Sequence, residues 1–452
     1  MNPIAITNRL EPFIDTHLID QLNGVTHQLQ KPHPQEVSII HDEPWEGNTC
    51  GYHTVFQDGD IYRMYYRGSH HDPVTTKTPH EVTCYAESTD GITWTKPNLN
   101  LYAFNGSKNN NIVWVETGAH DFSPFKDPNP NATSNAKYKA IARGDGGLYT
   151  FKSPDGIHWS PLSGHAVITE GKFDSQNLAF WDAEKNCYVD FHRGFREVGD
   201  QKVRDILTCT STDFLNWTEP KYITQTGAPV EQLYTNQIIP YFRAPHIYMG
   251  FPMRFVPERT VYDIAKGGVS DGVLMTSRNG QTFHRWPEAF IRPGLNHENW
   301  ICRNTMVAWG MLETDSRIPK QTELSMYATE HYYSSTRCDQ LRRHTIRLDG
   351  FASLHANATG GELVTKPFTF DGKNLTANFS TSAIGKLTFE IQTPNGTPIA
   401  HFAQNDCDDI FGDTTQRTIT WQGKSDISHL ANTPIRLHIQ LHDADLFAIQ
   451  FQ

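Results

Sequence analysis

Four arginines sit at matching places along this chain, each closing a short apolar run. Tyr65-Tyr66-Arg67-Gly68, Ile141-Ala142-Arg143-Gly144, Phe191-His192-Arg193-Gly194 and Pro252-Met253-Arg254-Phe255 share that form. A guanidinium offers a rigid fork of donors to carboxylate or sulfate, and each charge-assisted bond contributes about 1.5–3 kcal/mol. Acids beside aromatic residues recur between these runs: Trp45-Glu46, Phe125-Lys126-Asp127, Phe173-Asp174, Glu231 ahead of Tyr234 and Asn236, Asp271, and Trp300 with Arg303. Two carboxyl groups flanking a glycosidic bond, with aromatic faces against a sugar ring, are what its cleavage requires. This pattern selects Glu231 as proton donor, Asp174 as a positioning and pKa-tuning carboxylate, and Glu46 or Asp127 as base or nucleophile. Trp45, His53, Arg67, His70, Arg143, His192, Arg193, Tyr234, Asn236, Arg254, Asp271, Trp300 and Arg303 are the expected substrate contacts. For a single acid the competing role is a turn or strand-end cap. For a single arginine it is an ion pair within its own sheet.

The elements that must hold these residues announce themselves by repetition. Ser88-Thr89-Asp90-Gly91-Ile92-Thr93-Trp94 returns as Ser153-Pro154-Asp155-Gly156-Ile157-His158-Trp159. Looser copies follow at Ser211-Thr212-Asp213 with Trp217, and at Ser277-Arg278-Asn279-Gly280 with Phe283. The aromatic positions are 65, 58 and 66 residues apart. Asp and Gly make a tight turn between strands, and a repeat of this length with four strands per copy reads as a β-propeller. Blade one takes residues 52–57, 61–66, 82–88 and onward from 94; blade two takes 138–143 as an inner strand and 147–152. Blade three takes 178–181, 187–192 and 206–210, and blade four takes 237–242, 246–253 and 272–276. Residues 306–312 and 323–327 give a fifth blade, closed by an outer strand from residues 13–19. Five blades are expected, six being the competing count. The arginines then share the face opposite the repeated turns, with the acids at the starts of inner strands.

Past residue 341 the phrase is absent and short alternating strands separated by turns such as Pro394-Asn395-Gly396 take over. The reading is an all-β chain: a five-bladed propeller over residues 1–341, then a β-sandwich over 342–452. The sandwich serves as a packing domain or as a carbohydrate-binding module.

A net charge of −11 with 20% charged residues opposes a general nucleic-acid surface. No apolar run is long enough to span a bilayer. Seven scattered cysteines without a CxxC pair read as reduced thiols. No cofactor motif stands out: HExxH, a phosphate loop and GxSxG are all missing, and His70 and His71 are weak metal ligands. The expected partner is an oligosaccharide, not nucleic acid or membrane, with homo-oligomerisation left open. The first 22 residues lack a secretory pattern, so a cytoplasmic location follows if Met1 is the native start, and a periplasmic one if a signal was removed.

Laid out this way, the chain resembles the five-bladed glycoside hydrolases of families 43 and 32, and more closely the bacterial family-32-like hydrolases. The residues that carry the likeness are Phe13-Ile14-Asp15, Pro44-Trp45-Glu46, Tyr65-Tyr66-Arg67-Gly68, Phe104-Asn105-Gly106-Ser107, Phe173-Asp174-Ser175-Gln176-Asn177 and Arg347-Leu348-Asp349-Gly350-Phe351. The resemblance implies a pocket at a channel mouth with three acids from different blades. It departs at Pro44-Trp45-Glu46-Gly47-Asn48, where the family has WMNDPNG, and Lys126-Asp127-Pro128 matches its Arg-Asp-Pro phrase in blade two rather than three. The repeated phrase also resembles the sialidase Asp-box, short by one residue. The expected activity is exo-acting hydrolysis of an anionic oligosaccharide, with inversion favoured. A sialidase-like enzyme and a noncatalytic saccharide-binding propeller are the alternatives.

Overall fold

The computed structural model describes residues 2–72, 74–261 and 267–452, and they are all-β apart from four short 3-10 turns. They form two units: Pro32–Tyr241 with Pro245–Thr345, and Met1–Lys31 with Phe242–Ala244 and Ile346–Gln452.

The larger unit is a succession of antiparallel sheets. The first runs Gly51–Asp58, Ile61–Ser69, Glu81–Ser88 and Ile112–Trp114, and the second Ser123–Lys126, Tyr138–Gly144, Gly147–Ser153 and Ser160–Pro161. The third runs Leu178–Asp182, Cys187–Val198, Gln201–Ser211 and Lys221–Tyr222. The fourth position is broken into two sheets, because Ala244–Gly250 and Met253–Val256 are separate strands, as are Val269–Gly272 and Met275–Ser277. The fifth runs Leu312–Asp315, Thr322–Glu330, Gln340–Ile346 and His33–Ile40.

The repeated phrase has a local cause. Ser88 Oγ accepts the amides of Asp90 and Gly91 at 3.1 and 2.9 Å, and Asp90 Oδ1 accepts those of Ile92 and Thr93 at 2.7 and 2.8 Å. Ser153 with Asp155, Ser211 with Asp213, and Ser277 with Asn279 repeat the pattern. The third turn residue needs a left-handed backbone, which suits Gly91 (φ 69°), while Phe214 adopts it at φ 67°.

Successive sheets are joined by an aspartate ending one inner strand and a tyrosine starting the next sheet's second strand. Tyr138 donates to Asp58 at 2.6 Å, Tyr188 to Asp127 at 2.7 Å, and Tyr248 to Asp182. Tyr65 donates to Gly156 O at 2.8 Å, and Tyr327 of the fifth sheet donates to Gly91 O beside the first. Val55 N to Trp309 O and Trp309 N to His53 O, both 2.8 Å, also join the fifth sheet to the first.

Two strand assignments are corrected. The inner strand of the second sheet is Ser123–Lys126, and 138–143 lies in its neighbour. Four residues including Pro124 make a weak strand signal. Residues 13–19 do not close the fifth sheet; His33–Ile40 does, against Gln340–Ile346. Pro34 masked that strand, although an outer position tolerates proline.

In the smaller unit, Leu375–Gln392 and Arg436–Phe451 pair along nearly their whole lengths. Ile19–Asn23 pairs with Gly361–Thr365 and Thr26–Leu29 with Ala352–Ala356. The first 31 residues thus belong with the C-terminal strands, and the expected division at 341/342 misses them. Phe13, Phe368, Phe379, Phe389 and Ile439 are among its core residues.

The Asp127–Tyr188 contact gives the first prediction. Asp127 is fully buried at its side chain and held by Lys139 and Tyr188. Tyr188→Phe should cost about 1–3 kcal/mol, because a buried acceptor loses a donor. A fall in the urea midpoint at unchanged slope is the expected reading.

Candidate active site

The ends of the second strands and the starts of the inner strands bring one histidine between two acids. His120 precedes the inner strand of the second sheet; its Nδ1 faces Glu81 Oε1 at 2.8 Å and its Nε2 faces Asp174 Oδ1 at 3.1 Å. Glu81 opens the third strand of the first sheet, and Asp174 precedes the inner strand of the third. Both carboxylates reach solvent, at 33% and 58% side-chain exposure. Arg143 Nη1 lies 3.2 Å from Asp174 Oδ1. Arg67 is buried against Tyr52 at 4.7 Å, donates to Thr49 O at 2.8 Å and Tyr332 at 2.6 Å, and lies 4.0 Å from Glu81.

These neighbours set the charge states. The hydrogen bond from His120, then the charges of His120, Arg143 and Arg193, hold Asp174 far below the usual carboxylate range against its partial burial. Burial raises Glu81, but His120, Arg67 and Arg143 together outweigh it and leave it lowered. Asp121 is the opposite case: burial pushes its carboxyl up to about 7, although it accepts from Arg143 N at 3.0 Å and from Asn177.

A second group stands beside the first. The guanidiniums of Arg193, Arg303 and Arg204 lie 4.9, 5.2 and 5.7 Å from the Tyr234 ring. They donate to Lys172 O at 3.2 Å, Tyr333 at 2.6 Å and Gln232 at 3.1 Å respectively. Among the described residues none of the three has a carboxylate within ion-pair distance. Burial, then Arg193, with Arg303 contributing, lowers the Arg204 pKa. Three cations against the one carboxylate of Asp174, whose charge reaches Arg193 and Arg204, leave this cluster net positive.

Other expected residues lie elsewhere. Arg254 is neutralised by Asp271 at 2.9 and 2.6 Å and by Glu231 at 3.3 Å. Glu231 also takes Arg285 at 2.7 Å, so its carboxylate is engaged by two guanidiniums and is not free to act as the proton donor. Glu231, Arg254 and Asp271 line a cleft of about 680 Å³ with exposed Trp300, whose indole donates to Gly294 O at 2.9 Å. Glu46 is buried under Tyr66 at 2.5 Å and Lys96 at 2.6 Å, which removes it as base or nucleophile. Trp45 donates to Asn111 at 2.7 Å. Asp127 follows its inner strand rather than preceding it, and so lies at the opposite end of the sheets from Asp174. His53 stacks on Tyr66 and lies 3.0 Å from His41, where burial lowers its pKa. His192 is buried with Asp190 and Glu170 O, Asn236 bonds Phe191 O at 3.2 Å, and His70 is exposed near Gly47.

Glu81, His120, Asp121 and Arg204 were not anticipated. Placing the inner strand at 123–126 would have found Asp121, which stands just ahead of it as Asp174 stands ahead of 178. Glu81 opens its strand after a long connection and carries no local signal.

No family model matches the chain, and no curated protein matches it. Solved structures similar to it include glycoside hydrolases. One described as "Glycoside hydrolase" is 13% identical with a TM-score of 0.48, over 70% of this chain and 92% of that one. The catalytic domain of the Coprinopsis cinerea GH62 alpha-L-arabinofuranosidase is 10% identical with a TM-score of 0.45, over 70% and 97%. An endo-arabinase from Bacteroides thetaiotaomicron is 12% identical with a TM-score of 0.40, over 69% and 98%.

Asp121 gives the second prediction. In the folded chain it keeps its proton to about pH 7, whereas an unfolded aspartate loses it near 3.9. The native state then binds the extra proton between these values, so this stabilisation is complete below about pH 4 and is lost as pH rises to about 7. Asp121→Asn should remove that slope. Its urea midpoint relative to wild type should rise from about pH 4.5 to about pH 7.5.

Proposed function

We propose that the larger unit is a five-bladed β-propeller and a glycoside hydrolase whose substrate carries a carboxylate or sulfate. Five successive sheet positions, with the fifth bonded back to the first, support the ring. They also weigh against the six-bladed sialidase class. The smaller unit we read as a β-sandwich.

One observation carries the activity: Glu81 and Asp174 bracket His120 beside three guanidiniums that lack an acid partner. An imidazole bridging two carboxylates at these contact lengths sets them roughly 7–8 Å apart, inside the range of about 6.5–9.5 Å that goes with inversion, and His120 must swing out of that gap for the sugar and the attacking water to enter it. Asp174, ionised by its neighbours, is the base. It takes a proton from water as the water oxygen attacks the anomeric carbon. The bond from that carbon to the leaving oxygen breaks, and Glu81 supplies the proton to the leaving oxygen. Glu81 must first be protonated. Burial is the largest influence on it and already acts in that direction, and a sugar covering it would exclude more water. The anionic group rests on Arg193, Arg204 and Arg303. The competing reading is a noncatalytic saccharide-binding propeller, favoured by the lowered pKa of both acids in the free site.

The test is release of sugar from a panel of neutral, sulfated and uronic oligosaccharides. Activity is expected on the anionic members only, and Glu81→Gln and Asp174→Asn should each lower turnover by at least about a hundredfold. Arg303→Met should raise KM for those members. Proton NMR of the first product should read the inverted anomer. Equal activity on neutral sugars would remove the anion assignment. Tight binding without release from any member would favour the binding propeller.

A further inference from the structure

A second group of ligand-type side chains adjoins the site at Arg67, which donates to Thr49 O beside Cys50. His41, Cys50 and Asp339 are each completely buried, and one donor atom of each lies within 4.8 Å of the other two. Asp339 Oδ1 meets His41 Nδ1 at 2.5 Å, and its Oδ2 has no hydrogen-bond partner. Cys50 Sγ has only a long contact of 3.8 Å to Ser69 O. A buried carboxylate with one oxygen unpartnered is costly, and a cation shared with the imidazole and the thiol relieves it.

We propose that His41 Nδ1, Cys50 Sγ and a carboxylate oxygen of Asp339 bind a zinc-class transition-metal ion. The donor set decides the class: thiolate and imidazole suit zinc and its neighbours, whereas calcium and magnesium take oxygen ligands. Cys50 releases its proton to solvent when the ion enters. The ring of His41 is already oriented for this. With Nδ1 on the metal its proton sits on Nε2, which faces His53 Nε2 at 3.0 Å and donates to it.

The position gives the ion a purpose. His41 follows the closing strand His33–Ile40, Asp339 precedes Gln340–Ile346, and Cys50 precedes Gly51–Asp58. The ion would clip the outer strands of the fifth sheet to the inner strand of the first, across residues nearly three hundred positions apart in sequence. The buried trio Asp190, His192 and Cys209 is an internal control. There Asp190 Oδ1 receives both His192 Nδ1 and Cys209 Sγ, while His192 Nε2 donates to Glu170 O at 2.9 Å. Its Oδ2, like Asp339 Oδ2, has no partner, but the thiol there already donates to Oδ1, whereas Cys50 Sγ faces only Ser69 O.

Cobalt(II) titration of the untagged, metal-stripped full chain tests the proposal. About one ion per chain should bind with a near-ultraviolet thiolate-to-cobalt charge-transfer band. Cys50→Ser should abolish the band and Cys209→Ser should leave it intact. Should Cys50→Ser fail to fold, wild type alone decides. Stripping zinc should then lower its melting temperature by at least about 3 °C, and zinc should restore it. Less than about 0.1 ion bound per chain, or a band that survives Cys50→Ser and disappears with Cys209→Ser, would overturn the assignment.

Discussion

Four consecutive side chains, Asp174 to Asn177, hold the larger unit together at the place where its chemistry is proposed. Ser175 Oγ donates to Tyr234 O at 2.7 Å, and Asn177 Nδ2 donates to Asp121. Gln176, fully buried, donates to Tyr52 O and Thr54 Oγ1 at 3.1 Å and accepts from Gln237 at 2.5 Å. One tripeptide therefore bonds the inner ends of the first, second and fourth sheets from its place in the third. Asp174 is the free end of that lock. Its carboxylate meets His120 and Arg143 because the three residues after it leave the backbone no freedom to turn. Losing any one of these buried bonds would leave a desolvated group behind.

Charge is distributed against the overall composition. The chain carries −11, yet Arg193, Arg204 and Arg303 crowd one phenol ring without an acid. Two like charges a few ångströms apart repel by a few kcal/mol at the effective dielectric of a protein surface. Cation–π attraction to Tyr234 returns about 0.5–2 kcal/mol for each guanidinium. Asp174 offsets part of the rest, since its charge acts on Arg193 and Arg204. Arg254 marks the contrast. It occupies the same topological place as Arg67, Arg143 and Arg193, but its own sheet position supplies Asp271 and Glu231, which cancel it.

What was legible in the sequence follows the range of the interactions. The repeated turn could be read because its bonds, Ser88 to Gly91 and Asp90 to Thr93, close within six residues. The arginine positions could be read because each follows a short apolar run, although Arg193 lies within Cys187–Val198 and Arg254 near the start of Met253–Val256. The inner strand Ser123–Lys126 could not, being four residues with a proline, and that single slip moved Asp127 to the wrong end and hid Asp121. His33–Ile40 was hidden for a related reason: it gains its identity from a partner some three hundred residues away. The triple contact of Arg193, Arg204 and Arg303 with Tyr234 joins three sheet positions, and no local pattern encodes it.

Like positions in a repeated architecture share direction, and their neighbours decide what they do. An aspartate at the far end of an inner strand becomes a clasp, as at Asp58, Asp127 and Asp182, because a tyrosine of the next sheet always meets it there. An acid just ahead of an inner strand has no such fixed partner. Asp121 meets backbone and amide groups in a dry pocket and holds its proton, while Asp174 meets imidazole and guanidinium at the surface and gives it up. The two differ by one sheet position, yet burial decides the first and charge the second.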